Sequence, residues 1–158
     1  MPTGIDVDYV QKIIKKLESK VEYADIRVKN SIGNSVVLKD GKIDNVDTGI
    51  NYAIGIRVLQ NGAWGSAFTS EIDKVEQVAE NATTLANQLK SDVKLTPTNP
   101  EEDIVESKAK IKIEDIPLED KIETMKELNK IAQLENIQST NISLSESQSS
   151  DLIISSNR

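Results

Sequence analysis

The chain of 158 residues contains no histidine and no cysteine. Imidazole and thiolate groups are central to several common kinds of site, so their absence excludes histidine-centred zinc sites, the Ser-His-Asp triad and the Cys-His dyad. The lack of cysteine also agrees with a reducing compartment, and we expect a cytoplasmic protein. No catalytic, cofactor-binding or metal-ligating residue is therefore assigned in this sequence.

Aromatic residues and long apolar runs are also scarce. With one Trp, one Phe and three Tyr, the core must be built from Ile, Val and Leu. No segment approaches the roughly 20 consecutive apolar residues of a membrane span, and residues 1–4 lack the features of a signal peptide. A chain of this length buries about 70% of its unfolded surface as one domain, so folding requires no metal or disulfide.

Positive charge is in deficit, because the formal net charge is −7 and the pI is about 4.7. Binding to a nucleic acid duplex requires a basic surface that neutralises phosphates, so we predict no direct contact with nucleic acid. Much of the imbalance lies between Pro100 and Glu127, where ten acidic residues accompany five lysines. We interpret this acidic run as a solvated surface.

Residues 23–69 have the pattern of a four-stranded antiparallel meander. Ala24, Ile26 and Val28 alternate with polar residues, which is typical of a strand with one buried face. Asp40-Gly41 and Asn61-Gly62 are the dipeptides that best form type I′ hairpin turns. The four expected strands contain residues 24–29 with 36–38, residues 42–47, residues 52–59 and residues 64–68.

Three amphipathic helices are predicted, at residues 5–21, 70–90 and 118–135. Asp6 can cap the first helix, Ser70 with Asp73 resembles a capping box, and Pro117 suits the start of the third. The third helix has an apolar stripe, formed by Ile122, Met125, Leu128, Ile131 and Ala132.

The remaining segments are a linker and a C-terminal hairpin. Residues 91–117 lack a sustained pattern, although Ile111 and Ile113 alternate as a short strand might. Apolar residues recur on both sides of the Ser-rich segment 145–150, which predicts a hairpin over residues 137–156. The whole chain thus predicts a single α+β domain, with an antiparallel sheet of about six strands and helices packed on one face.

Four segments of the meander, followed by a long amphipathic helix, carry a resemblance to a known family. They are Tyr23-Ala24-Asp25, Val37-Leu38-Lys39-Asp40-Gly41, Gly55-Ile56-Arg57-Val58-Leu59 and Gly62-Ala63-Trp64-Gly65. Together they resemble the N-terminal domain of the TldD/PmbA family, metallopeptidases once called modulators of DNA gyrase. The first and third segments look closer to the TldD branch, which carries the metal site, than to the PmbA branch.

The resemblance implies zinc for a full-length TldD-like protein, held by a His-Glu-x-x-x-His motif downstream of this domain. None of that motif can be placed on these 158 residues. We therefore expect the catalytic C-terminal domain to be absent and the chain to be inactive alone. It would be a fragment, a truncated gene product or a deliberately shortened protein.

Two functions are compatible with these observations. The first is a non-catalytic N-terminal domain that shapes the peptide-substrate channel and the subunit interface of a TldD-like zinc metallopeptidase. Its partners would be an unfolded peptide and a homo- or hetero-oligomeric TldD/PmbA family subunit. The alternative is a stand-alone protein- or peptide-binding module without protease activity. A nucleic-acid modulator would need a basic patch that the charge makes doubtful.

Several residues are individual candidates for a functional site. The carboxylates Asp44 with Asp47, and the run Glu101-Glu102-Asp103, lack the loop spacing of a calcium site and are interpreted as solubilising. Trp64 is expected to fill the core rather than contact a partner. Arg57 is expected on a solvated sheet face, although it could meet a subunit or peptide, and Tyr52 is expected to pack. Gly55, Gly62 and Gly65 are interpreted as turns and strand kinks rather than a phosphate loop.

Overall fold

The computed structural model describes residues 6–107 and 109–156. The predicted helix start at residue 5 and Lys108 of the predicted linker lie outside the described residues. Within them the chain forms seven main elements in the following order. They are α1 (Val7–Glu18), β1 (Tyr23–Lys39), β2 (Lys42–Gln60), β3 (Ala63–Thr69), α2 (Val75–Gln88), α3 (Leu118–Ala132) and β4 (Asn141–Ser155).

The strands form one sheet in the order β3-β2-β1-β4. β2 and β3 are antiparallel, with a register that runs from Ile54 opposite Thr69 to Gln60 opposite Ala63. Both hairpin turns have the predicted type I′ character, because φ is 51° at Asp40, 75° at Gly41, 54° at Asn61 and 69° at Gly62. The predicted α+β class with an antiparallel sheet is confirmed.

The expected count of about six strands is corrected to four in the described residues. Two predicted strands within residues 42–59 are one strand, β2, because the chain stays extended through Thr48 and Gly49. The predicted C-terminal hairpin is also one strand, β4, which continues through the Ser-rich segment 145–150. Serine tolerates extended backbone, and Glu146 in this segment accepts a hydrogen bond from Asn34 of β1 (2.8 Å).

The start of α1 is capped by a side chain as predicted, whereas the start of α2 is not. Asp6 accepts a hydrogen bond from the Tyr9 backbone N–H (3.1 Å), so the predicted N-cap of α1 is confirmed. The predicted capping box at Ser70 is wrong. Instead the Thr69 hydroxyl accepts the Glu71 N–H (3.0 Å), and a 3₁₀ turn at Ile72–Lys74 leads into α2.

The chain divides into two compact units. Of the described residues, unit 1 contains 6–30, 52–104 and 150–156, and unit 2 contains 31–51, 105–107 and 109–149.

Unit 1 has a continuous apolar core between its strands and helices α1 and α2. Its largest fully buried side chains include Ile26 and Val28 of β1 and Ile54 and Ile56 of β2. Gly65 of β3 permits the close approach of α2, since an added Cβ would lie 2.0 Å from the carbonyl oxygen of Ala82. Core residues also come from both helices, at Val10, Ile13, Ile14, Leu17, Val75, Val78, Ala79, Ala82 and Ala86.

Unit 2 has a smaller core, in which Val36, Leu38 and Met125 are buried. The predicted stripe of α3 is wrong at Leu128 and Ile131, which are 51% and 71% exposed, and at Ala132, which is also exposed. Asn129 is buried instead, because its side-chain oxygen accepts a hydrogen bond from the Thr140 hydroxyl. The partly buried residues of this core are Leu118, Ile122, Ile142 and Leu144.

The predicted linker contains no strand in its described residues, so the short strand suggested by Ile111 and Ile113 is not formed. A 3₁₀ turn occurs at Ile113–Asp115, where Asp115 accepts the Lys112 N–H (3.0 Å). Within unit 1, the start of this segment is anchored by a hydrogen bond from the Val93 N–H to the Gly62 carbonyl (3.1 Å).

Candidate functional site: an arginine-aromatic cluster and an open strand edge

Asp25 of β1 and Arg57 of β2 form the best-defined ion pair of unit 1. The Arg57 Nε–H reaches both oxygens of the Asp25 carboxylate at 3.1 Å, and Nη2 donates to Oδ2 at 2.8 Å. The two residues alternate with core residues, so they project from the strand faces turned away from the apolar core of unit 1. The Asp25 side chain is only 5% exposed, whereas that of Arg57 is 58% exposed.

Two aromatic rings complete what we call the arginine-aromatic cluster: Tyr23, Asp25, Arg57 and Trp64. The guanidinium carbon of Arg57 lies 5.2 Å from the centroid of the Trp64 ring, within the range of a cation-π contact. Tyr23 meets Trp64 edge to face, with centroids 5.9 Å apart. Burial and, secondarily, the Asp25 charge raise the pKa of Tyr23, and the hydrogen bond to Asp25 raises the pKa of Arg57.

The cluster is suited to contact with another polypeptide. Asp25 holds one side of the Arg57 guanidinium. The exposed part of the guanidinium keeps further N–H groups that can donate to another acceptor. Trp, Tyr and Arg are the residue types enriched where protein interfaces carry most of their binding energy. An arginine already held in place loses less conformational entropy on binding than a free one.

The cluster changes the interpretation of two predicted residues. Trp64 is not a core residue as expected, because it lies half-buried beneath Arg57 and Tyr23, outside the apolar core of unit 1. Arg57 is exposed as expected, but it is paired rather than simply solvated. Asp25 was missed by sequence reasoning. The sequence carries little signal of its role, because Asp25 alternates with apolar residues in the same way as Arg27, which is exposed.

Tyr52 and Gly55 have packing roles. Tyr52 packs against the core of unit 1 as predicted, and burial raises the pKa of its hydroxyl. Gly55 lies beside the ring of Phe68, whose Cε1 would be 3.1 Å from an added Cβ. Phe68 itself is 74% exposed. Gly62 lies in the second hairpin turn, which agrees with its predicted role.

The second candidate surface is the outer edge of β2 in unit 2, residues 42–51, here called the open edge. β3 pairs only with Ile54–Gln60, so no described strand lies along residues 42–51 on the side opposite β1. Every residue of the open edge is exposed. Its apolar side chains are Ile43, Val46 and Ile50, which are 50%, 43% and 71% exposed.

The carboxylates considered from sequence occupy exposed positions. Asp44 and Asp47 lie on the open edge of unit 2. Glu101, Glu102 and Asp103 lie in the linker segment of unit 1, where Asp103 accepts the N–H of Ile104 (2.8 Å). Asp44 and Asp47 were interpreted as merely solubilising, but they lie on a strand whose outer edge is unpaired.

Unit 2 also contains a nearly buried polar network. The Lys121 ammonium donates to Glu146 (2.7 Å), and Asn34 donates to the same carboxylate oxygen (2.8 Å). The Lys121 and Glu146 side chains are 12% and 15% exposed. The hydrogen bonds from Lys121 and Asn34 lower the pKa of Glu146. This network joins α3, β1 and β4.

A second polar contact fixes the start of β4. Asp40, in the turn between β1 and β2, accepts the Thr140 N–H (2.8 Å) and the Ser139 hydroxyl (3.0 Å). These hydrogen bonds lower the pKa of Asp40.

The residues present do not fit the zinc site that the family resemblance implies. The sequence supplies neither imidazole nor thiolate. Across residues 6–107 and 109–156, no three carboxylates come together in a way that could hold a metal ion. In the same residues no helix is long and apolar enough to cross a membrane.

The described residues thus form an α+β domain with an antiparallel sheet, an arginine-aromatic cluster and a strand with one unpaired edge. The sequence model for PmbA/TldA metallopeptidase domain 1 matches residues 24–86, which span β1, β2, β3 and most of α2. Residues 24–86 of this chain therefore match the first domain of the PmbA/TldA metallopeptidases.

Two curated relatives extend the match along the sequence. A metalloprotease of Methanothermobacter thermautotrophicus is 34% identical over 152 residues, which cover 96% of this chain and 34% of the relative. A metalloprotease of Methanocaldococcus jannaschii is 31% identical over 144 residues, which cover 84% of this chain and 31% of the relative. The chain thus spans about a third of the length of the curated relatives it matches.

Solved structures share the fold. A protein of Thermotoga maritima described as a modulator of DNA gyrase matches with a TM-score of 0.76 at 15% identity, over 94% of this chain and 34% of its own. TldE of Thermococcus kodakarensis matches with a TM-score of 0.67 at 17% identity, over 92% of this chain and 34% of its own.

Proposed function

We propose that this chain is the non-catalytic first domain of a TldD-like zinc metallopeptidase, in which it shapes the peptide-substrate channel and the subunit interface. Three observations support the proposal. The curated relatives are named metalloproteases and are about three times as long as their matched parts. The chain has no imidazole or thiolate to hold zinc. Its two candidate surfaces are suited to binding rather than bond cleavage.

The observation that carries the peptide-binding role is the open edge. The unpaired edge of a strand presents a row of backbone N–H and C=O groups, with which an extended peptide can pair. Such pairing requires an extended partner, so it selects unfolded over folded polypeptides and depends little on their sequence. Ile43, Val46 and Ile50 add exposed apolar side chains, which a bound strand would partly cover.

The observation that supports the interface role is the arginine-aromatic cluster of unit 1. We infer that its partner is another TldD/PmbA family subunit, identical or related, in the cytoplasm. Sedimentation velocity of the chain mixed with such a subunit would test this role. Trp64→Ala should weaken the association at least tenfold, because the half-buried ring supports Arg57. Association unchanged by Trp64→Ala would contradict the assignment.

A set of modified peptides tests strand addition directly. Fluorescein-labelled extended peptides would be titrated with the chain and followed by fluorescence anisotropy. One peptide is unmodified, one carries backbone N-methyl groups at alternate residues, and one carries them at every residue. Alternate methylation leaves one edge of the peptide free to pair and should largely keep binding, whereas complete methylation blocks both edges and should abolish it.

Other outcomes of this titration contradict the proposal. If the completely methylated peptide bound as well as the parent, side chains rather than the backbone would be recognised. If none of the peptides bound, the open edge would not be a peptide acceptor. Chelator-sensitive hydrolysis of the unmodified peptide by the purified chain would contradict the non-catalytic role.

A stand-alone peptide-binding module remains the second candidate, because the open edge and the cluster each lie wholly within this chain. Co-purification distinguishes the two functions. The first predicts that the tagged chain retains a TldD/PmbA family polypeptide containing His-Glu-x-x-x-His when the two are co-expressed. The second predicts peptide binding without that retention.

A further inference from the structure

We infer that the open edge prefers extended peptides that carry two cationic residues three positions apart, one to pair with Asp44 and one with Asp47. This inference rests on the proposed function, because it concerns which peptides the open edge accepts. It names a substrate class, basic and extended, that backbone pairing alone would not select.

The geometry of a strand sets the spacing. Asp47 lies three positions after Asp44. Because successive side chains of a strand alternate between its faces, the two aspartates project from opposite faces of β2. A strand added beside residues 42–51 has the same alternation, and its residues opposite the two aspartates are also three apart. The requirement holds for parallel and antiparallel addition alike, because both directions keep the same rise per residue to within a few per cent.

Charge complementarity identifies the occupant. Within the open edge, the two carboxylates outnumber the single cation, Lys42, and both lie at exposed positions. The whole chain has a net charge of −7, which also favours approach by a cationic peptide. Opposite charges placed directly across two strands stabilise the pair, and like charges destabilise it.

Apolar side chains refine the pattern. Val46 and Ile50 share the face of β2 that carries Asp44, at distances of two and six residues along the strand. A bound strand can therefore place a cation and two apolar residues on one face. The expected ligand carries one cation together with apolar residues on one face and its second cation on the other face.

Designed peptides and charge reversal test the preference. The probes are fluorescein-labelled Thr/Val peptides with two lysines three apart, two lysines two apart, two glutamates three apart, or no charge. With the unmodified chain, lysines three apart should bind about tenfold more tightly than the uncharged peptide. Lysines two apart should gain only about threefold, since both project from one face and only one carboxylate can be matched.

The matched variants separate local pairing from the overall field. Asp44→Lys with Asp47→Lys should reverse the order, so that glutamates three apart bind better than lysines three apart. Glu101→Lys with Glu102→Lys makes the same change of net charge in the exposed linker segment and should leave the order intact. All four positions are exposed, and circular dichroism would verify that both variants fold.

The possible results separate the charge preference from the proposed function. Equal binding of lysines two and three apart, or an equal effect of the two double variants, would overturn the charge preference while strand addition stands. If the uncharged peptide were the one probe that bound, the charge preference would likewise be overturned while strand addition stands. Loss of binding by all four probes would instead overturn the proposed function itself, and the preference with it.

Discussion

The two units of the chain are stabilised in different ways. Among the described residues, the apolar core of unit 1 has sixteen buried residues, drawn mainly from two helices and the sheet, whereas the core of unit 2 has three. Unit 2 relies on nearly buried polar contacts, among them Lys121 with Glu146 and Asn129 with Thr140. The difference indicates that unit 1 supplies stability, while unit 2 holds a long strand in place with one edge unpaired.

This division is compatible with a binding role. A strand that must accept another strand cannot be covered, so its residues contribute little burial to the unit that carries it. Every residue from 42 to 51 is exposed, in contrast to the fully buried Ile54, Ile56 and Val58 further along β2. The same strand thus serves as core in unit 1 and as an open edge in unit 2.

The largest expected effect is a cavity in the core of unit 1. Ile56 is fully buried, so Ile56→Ala should lower the free energy of unfolding by about 2–5 kcal/mol. Ile50 on the same strand is 71% exposed, and Ile50→Ala should change it by less than about 0.5 kcal/mol. Urea titrations of both variants would measure the contrast, and similar losses would contradict the division between core and open edge.

Next in size is a steric test of the contact between β3 and α2. Gly65→Ala should lower the free energy of unfolding by about 1–3 kcal/mol, because the new methyl group would meet the Ala82 carbonyl. Gly49→Ala is the matched control, since no heavy atom lies within 4 Å of its added Cβ. Thermal denaturation should show a lower midpoint for the first variant alone. A comparable drop for Gly49→Ala would count against an open strand at residue 49.

A smaller loss is expected from the polar contacts of unit 2. Asn129→Ala leaves the buried Thr140 hydroxyl without its partner, at a cost of about 1.5 kcal/mol. Hydrogen exchange should then accelerate in α3 and at the start of β4. Glu127→Ala, at an exposed position of the same helix, should have little effect. Unchanged exchange in the Asn129 variant would contradict the importance of this contact.

The smallest effect concerns pH. The pKa of Glu146 is below its ordinary value of 4.5, so the folded state favours the ionised carboxylate. Its contribution is therefore present above about pH 4.5 and is lost as the pH falls through the lowered pKa. Lys121→Met should reduce this pH dependence, by less than about 1 kcal/mol between pH 7 and pH 3. Urea titrations at both pH values would measure it, and identical profiles for the two proteins would refute the contribution.

Local signals predicted much of the fold. Asp40-Gly41 and Asn61-Gly62 determine their own backbone geometry, and the alternation of Ala24, Ile26 and Val28 identifies a buried face directly. Both depend on residues adjacent in the chain. The α+β class followed from combining such signals.

Features that depend on distant residues were not predicted. The burial of Asn129 depends on Thr140, and the extended backbone of the Ser-rich segment is accompanied by a contact between Glu146 and Asn34. The apolar residues of α3 recur with the helical period, but the buried face of the helix carries Met125 and Asn129 rather than Leu128 and Ile131. Similarly, the open edge became apparent only when β2 proved longer than β3, because the local sequence around Gly49 resembles a break.

Hydrogen exchange of the open edge tests the central claim most directly. The chain would be compared with and without a saturating extended peptide, and exchange would be followed by mass spectrometry across β2. Strand addition predicts new protection of backbone amides within residues 42–51, with little change at the already paired residues 54–60. Protection elsewhere with none in residues 42–51, despite bound peptide, would contradict the claim that this edge receives the polypeptide.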